Sequence, residues 1–374
     1  MKVTCLQETL NKALNIVGRA VATRTTLPVT QNVLIKTDQS MVKLAATNLE
    51  MAMSTWVGGD IEEEGAISVP ARLLSDFVNS LPGGQIEFTS GTAPYSLHIK
   101  CGRYEARIVG VDPNEFPPIP ILQGDTTIQL DPKELKSALS DVVFAAATED
   151  SRPVLTGVNI EFQESGYTFV AADGFRLAVK KGQLSQPVSN PIQVIIPAKV
   201  LSELNRLLNE QESDVKLELD AGRGQIVFKL DDVELIAQLV QGSFPNYSQL
   251  VPETYTSQAH LNVPDLLMAT RSASVFARDG NGIIRLHMVP GSPGVVRVIA
   301  EAQELGENAS EFDAQIEGDE AKVAFSSRYL LDVLGVLGGG NLSLQLTTPS
   351  SPGVFRRGDS DDYVHVIMPM FVQW

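Results

Sequence analysis

The chain has only two cysteines in 374 residues, Cys5 and Cys101, and no CxxC spacing. A disulfide framework and a structural zinc site are therefore not expected, and the four scattered histidines supply no ligand cluster. No apolar run approaches the ~20 residues of a membrane span. The opening MKVTCLQETL lacks the apolar core of a signal peptide, so a reducing cytoplasm is the expected compartment. GxxxxGK[ST], GxSxG and HExxH are all missing, which removes the common signatures of nucleotide hydrolysis, serine esterases and zinc proteases. "RDGNG" (278–282) lacks the alternating ligands of a calcium loop. "LGGGN" (337–341) reads as a helix stop, and Asp359, Asp361 and Asp362 read as a solvated hairpin tip. Excess positive charge is also missing. The net charge is −16, which taken alone argues against nucleic acid.

What is present is repetition. "VPARLLSDFVNSL" from Val69, "IPAKVLSELNRLL" from Ile196 and "FSSRYLLDVLGVL" from Phe325 share one pattern, 127 and 129 residues apart. Each has a basic residue at its fourth place and an acidic one further in: Asp76, Glu203 and Asp332. A second repeated element links the segments beginning at Leu6, Leu130 and Leu261. All three read as amphipathic helices; in the first, Leu10, Leu14, Val17 and Val21 share a face. In the second, Asp131, Pro132 and Glu134 supply an N-cap, a first-turn proline and a capping-box partner. Short alternating segments such as "VLIKT", "VKLAAT" and "YSLHI" predict antiparallel strands, with turns at 82–84 and 222–224. Proline-bearing seams at 114–125 and 243–255 divide the chain into 1–122, 123–252 and 253–374, each near the usual domain size. The expected fold is α+β, with two helices on an antiparallel sheet in each repeat.

The charge is unevenly placed. The six helix segments hold ten basic and eight acidic residues, so the remainder carries −18. Lys12/Arg19, Lys199/Arg206 and Arg271/Arg278 are each seven apart and fall on one helix face. Arg72 and Lys136 belong to the same basic layer. A solvated helix face is the ordinary reading of any one pair. Recurrence in three repeats suits an acidic body that surrounds DNA without adhering tightly to it.

"TNLEM" (47–51), "VPAR" (69–72), "ADGFRLAV" (172–179), "SFPNY" (243–247), "LLDVL" (330–334) and "VIMPM" (366–370) occur in this order on the threefold repeat. The chain thereby resembles the bacterial sliding clamps, the beta subunits of DNA polymerase III, over essentially its whole length. The resemblance implies a DNA-clamp fold of three domains, assembled as a ring by head-to-tail pairing of two subunits. Duplex DNA would be encircled without regard to sequence, with the basic helices and Arg24 facing it. The subunit would do no chemistry and need no cofactor or metal. Its partners would be the polymerase alpha subunit, the clamp loader and other proteins bearing a short clamp-binding peptide; no membrane is involved.

Carried over residue by residue, the peptide pocket would use Arg152, Leu155, Ala172, Gly174, Phe175, Arg176 and Leu177. Pro245, Gln249, Leu250, Ser326 and Tyr329 would form walls, and Val366, Ile367, Met368, Pro369 and Met370 the floor and lip. The subunit contact would use Ile108, Val275 and Phe276. Phe175, Ser326 and Phe371 stand where the family commonly has His or Tyr, Asn, and a basic residue; Glu149 stands where some relatives are neutral. Two other readings compete: a hydrolase using Glu149, Asp150 and Asp173, and a scaffold with the clamp fold but no DNA.

Overall fold

A computed structural model describes residues 1–91, 93–120, 126–149, 151–278, 281–302, 306–358 and 360–374. The expected boundary at 122, Asp150 and Asp359 lie outside them, as do two residues of "RDGNG". Among the described residues there are six α-helices: α1 (Gln7–Val17), α2 (Ala71–Ser80), α3 (Pro132–Val142), α4 (Ala198–Leu207), α5 (Val263–Ala277) and α6 (Ser327–Leu337). They come in pairs at the repeated sequence positions. Each buries a largely apolar stripe, such as Leu10, Leu14 and Val17 on α1 or Leu330, Val333, Leu334 and Leu337 on α6.

The first and third helices end earlier than the sequence pattern suggests. α1 passes at Val17 into a 3-10 turn, Gly18–Ala20, and α3 passes at Val142 into another, Val143–Ala145. Gly18 and the β-branched pair Val142–Val143 favour tightening there. Residues 222–224 do join two strands, Val215–Asp220 and Gln225–Lys229. Residues 82–84 do not: they connect the end of α2 to Gln85–Gly91, with Gly84 at φ +139°. The capping chemistry of Pro and Gly is shared by helix exits and hairpins, which is why the sequence misassigned that turn.

The chain divides into two compact units. The first comprises Met1–Pro132 and Arg206–Leu239; the second comprises Lys133–Asn205 and Val240–Trp374. They do not follow the three repeats, because hydrogen-bonded sheets cross from one repeat into the next. In the first unit, Met51–Val57 pairs with Val233–Gln238, from Val233 opposite Thr55 to Ala237 opposite Met51. This joins strands of the first and second repeats into one eight-stranded sheet, beside a five-stranded sheet that ends on Tyr104–Val109. In the second unit, Arg176–Gln183 pairs with Tyr363–Ile367, from Lys180 opposite Tyr363 to Arg176 opposite Ile367. A twelve-stranded sheet results. The closing segment is thus a core strand through Ile367, and the chain leaves regular structure at Met368.

Candidate functional site

The paired strands Arg176–Gln183 and Tyr363–Ile367 have two chemically different faces, as strand alternation requires. Leu177, Val179, Val364 and Val366 point to one side, where they form an apolar cluster with Leu155, Val170, Ala172 and Val354. Val154, Phe244, Tyr247 and Val251 pack against its margin. Four large apolar side chains nearby remain open to solvent: Phe175 is 57% exposed, Leu250 50%, Met368 42% and Met370 37%. The rim is held by backbone. The Met368 amide donates to the Phe175 carbonyl at 2.8 Å, and the Met370 amide donates to the Ala324 carbonyl at 2.7 Å. An apolar floor with two exposed methionines beside it is chemically suited to contact with an apolar ligand, since methionine repacks around varied partners.

The turn "ADGF" sets the lip. The Asp173 carboxylate accepts from the amides of Phe175 (2.8 Å) and Arg176 (3.0 Å). Gly174 sits at φ +92°, a conformation that side chains disfavour. The Arg152 guanidinium donates to the Asp173 carbonyl at 2.7 Å and lies where a Cβ on residue 174 would be. Asp173 is therefore a structural acceptor, which weakens the hydrolase reading. Glu149 is simply exposed.

Arg176 and Ile367 were expected to line the groove, and their side chains do not. They lie opposite each other in register, on the face away from Leu177 and Val366. Ile367 is fully buried there. Arg176, 6% exposed, donates to Asp173 Oδ2 at 3.0 Å, to Asp332 Oδ2 at 2.6 Å and to the Phe144 carbonyl at 2.8 Å. Its guanidinium stacks between the rings of Tyr329 (4.6 Å) and Phe144 (5.3 Å). Tyr329 is thus a support for Arg176. Ser326 is the N-cap residue of α6, with no side-chain cap hydrogen bond. Pro245 and Gln249 lie exposed in the seam that carries Phe244 and Tyr247, and Pro369 is half-buried.

The stack continues inward. Phe144 stacks on His365 at 5.4 Å, and His365 lies 6.4 Å from Tyr363 with nearly parallel rings. Arg357 covers the other ring at 4.9 Å and donates to both oxygens of buried Asp141, at 2.5 and 3.0 Å. Lys180 also meets Asp141, at 3.6 Å, and pairs closely with Asp362. Burial, then the nearby Arg176 charge, holds the His365 imidazole down to about 3. The phenol of Tyr363 is pushed far up by burial. Asp332, Phe144 and Asp141 gave no sequence sign of converging here.

The expected DNA-facing residues lie mostly on helices. Lys12, Arg19, Arg24, Arg72, Lys199, Arg206, Arg271 and Arg278 are exposed, whereas Lys136 is half-buried. Lys12 pairs closely with Glu210. Lys12, Arg19 and Arg206 line a cleft of about 820 Å3 in the first unit, together with Glu210, Asp231 and Asp232. Asp141, counted among helix acids in the sequence, is buried in ion pairs, so it subtracts nothing from the exposed basic layer. The acidic tip is also paired in part, with Arg356 3.1 Å from Asp361. Of the expected subunit-contact residues, Ile108 is buried within its strand, Val275 is 56% exposed and Phe276 half-buried. The exposed members of the edge strand are Tyr104, Glu105, Arg107 and Val109, the apolar ones being Tyr104 and Val109. Among the described residues no group of acids, histidines and cysteines could hold a metal ion.

Models of the N-terminal, central and C-terminal domains of the DNA polymerase III beta subunit match residues 1–120, 129–246 and 248–371. The chain belongs to this family, the bacterial sliding clamps. The beta sliding clamp of Synechococcus elongatus is 31% identical, and the match covers 99% of both chains. That of Staphylococcus aureus is 30% identical, again over 99% of both. Among solved structures, the Bacillus subtilis sliding clamp superposes with a TM-score of 0.94 at 28% identity, over the whole of both chains. The Pseudomonas aeruginosa clamp bound to griselimycin gives 0.92 at 30% identity, over all of both chains. The three-domain sliding-clamp fold, with six helices on antiparallel sheets, is therefore this chain's fold. Its function is that of a DNA sliding clamp, a processivity factor in replication. No helix among the described residues is long and apolar enough to cross a membrane.

Proposed function

We propose that the chain acts as a head-to-tail homodimer, closed as a ring around duplex DNA, and tethers the polymerase alpha subunit by a peptide held in the groove between Phe175, Leu250, Met368 and Met370. The clamp loader and other peptide-bearing proteins use the same groove. The domain limits are 1–122, 123–252 and 253–374, and the setting is the cytoplasm. No catalytic step is required, because enclosure alone prevents loss of the polymerase from its template.

The observation that carries this reading is the exposed basic side chains on the helices of a chain whose net charge is −16. Phosphate contacts of this kind are independent of sequence and weakened by salt, which permits sliding. The acidic remainder disfavours DNA on other surfaces. Two sheet edges support the homodimer. Among the described residues, Tyr104–Val109 pairs only with Ser96–Cys101, and residues 306–314 pair only with Gly294–Ala302. Joining one edge to the other in a second copy would remove both. Val275 and Phe276, at the end of α5, would flank that join.

The test is primer extension by the cognate polymerase under single-encounter conditions, with the loader present. Products should lengthen when the chain is added and should not when it carries Met368→Ala and Met370→Ala. Equal lengths with and without the unmodified chain would refute the tethering reading.

A further inference from the structure

Each repeat leaves its last strand by the same path. The Val111 amide donates to the Ser68 carbonyl at 2.8 Å, Val240 to Ile195 at 2.9 Å, and Met370 to Ala324 at 2.7 Å. Each donor stands seven residues after the first residue of its strand, namely Tyr104, Val233 and Tyr363. Each acceptor stands three residues before the helix that follows: α2, α4 or α6.

An aromatic residue comes next in all three repeats. Phe116, twelve residues beyond Tyr104, is buried. Ile119 beside it packs on Ala52, Val227 and Ile236, a cluster shared by strands of the first and second repeats. Phe244, eleven residues beyond Val233, packs on the Leu177–Val366 cluster shared by the second and third repeats. In both cases the seam covers apolar surface where one repeat meets the next. Trp374 lies eleven residues beyond Tyr363, at the register of Phe244, yet it is 52% exposed, and Phe371 is 94% exposed.

We infer that residues 371–374 are the seam of a third junction and dock on a second copy of this chain, where its third repeat meets the first repeat of the partner. This rests on the homodimer reading above. The partner surface is the open edge Tyr104–Val109, where Tyr104 and Val109, 56% and 72% exposed, flank the exposed charges of Glu105 and Arg107. Trp374 fills there the place that Phe244 fills within the chain. The alternative occupant site, the peptide groove of the same chain, is an outcome of the test.

The experiment uses the full chain and its Trp374→Ala and Trp374→Phe variants. Sedimentation gives the monomer–dimer constant, and tryptophan emission is followed across the same concentrations. Trp56 is the other tryptophan, and its signal is read alone in Trp374→Phe. Trp374→Ala should weaken the dimer about thirtyfold, the effect of truncating a tryptophan anchor, and Trp374→Phe much less. Emission of the unmodified chain should shift to the blue as the dimer forms. An unchanged dimer constant in Trp374→Ala, with emission independent of concentration, would overturn the inference and leave the homodimer standing. Emission that responds only to an added groove peptide would also overturn it and assign the tail to the groove. An unmodified chain that stays monomeric throughout would overturn the homodimer reading, and this inference with it.

Discussion

Replacing Arg176 with methionine tests the support beneath the groove. The side chain is 6% exposed and reaches two carboxylates and one carbonyl, at 2.6 to 3.0 Å. Methionine keeps most of the apolar stem and removes every donor. Asp173 and Asp332 then lose their charged partner; Asp173 is 13% exposed and Asp332 35%. Breaking a buried pair on one side costs about 3–5 kcal/mol, because the remaining charge is left uncompensated. Solvent screens Asp332, so Asp332→Ala should cost only about 1 kcal/mol. For a unit of this size each kcal/mol moves Tm by roughly 2–4 °C, so Arg176→Met should lower Tm by about 10 °C. Arg176→Lys should recover little, since an ammonium cannot serve three separate acceptors and stack between two rings. Calorimetry of the three variants is the assay. A fall of less than ~2 °C for Arg176→Met would refute the claim that this residue holds the lip to α6.

Met368→Ala with Met370→Ala should weaken a fluorescent clamp-binding peptide by at least about tenfold, since two thioethers covering the ligand are each worth ~1 kcal/mol or more. The dimer mass should not change; equal peptide affinity in titrations would remove the lip assignment. His365 is held at about 3 in the fold against 6.5 for a free imidazole. Between those values the unfolded chain binds the extra proton, so stability falls as pH drops below ~6.5, by at most about 1.4 kcal/mol per pH unit. Urea titrations of His365→Leu over that range should show a shallower slope than the unmodified chain, and equal slopes would contradict the burial argument. Phe276→Asp should favour the monomer by placing a charge in the subunit contact, and an unaltered dimer mass in sedimentation would remove that contact from the interface.

Much of the fold could be read because repetition multiplies weak signals. One amphipathic segment such as residues 8–17 is ordinary; three pairs of such segments at similar intervals define helices, strands and seams together. The groove residues came through the resemblance, residue by residue; the structure puts Leu177 and Val366 in one apolar cluster and leaves Phe175 and Met368 exposed. What no resemblance or local pattern conveys is that two faces of one strand do different work. Arg176 sits beside Leu177 in sequence, but its carboxylate partner Asp332 lies 156 residues away. No local pattern announces such a contact. Ile367 was placed on the wrong face for the same reason, since a motif names a position without saying which side of the sheet it faces. The buried ion pairs of Asp141 were hidden as well, because an acidic residue on an amphipathic helix reads as solvated until its partners Lys180 and Arg357 are brought in from other strands.

Retention on DNA circles tests the central claim most directly. The chain is loaded onto a nicked circle, separated from free protein, and followed by gel filtration before and after one restriction cut. Enclosure predicts that it stays with the intact circle, even at salt concentrations that screen phosphate contacts, and leaves within minutes of linearisation. Loss at the same rate from circle and linear DNA would contradict the account, because retention would then depend on affinity and not on a closed ring.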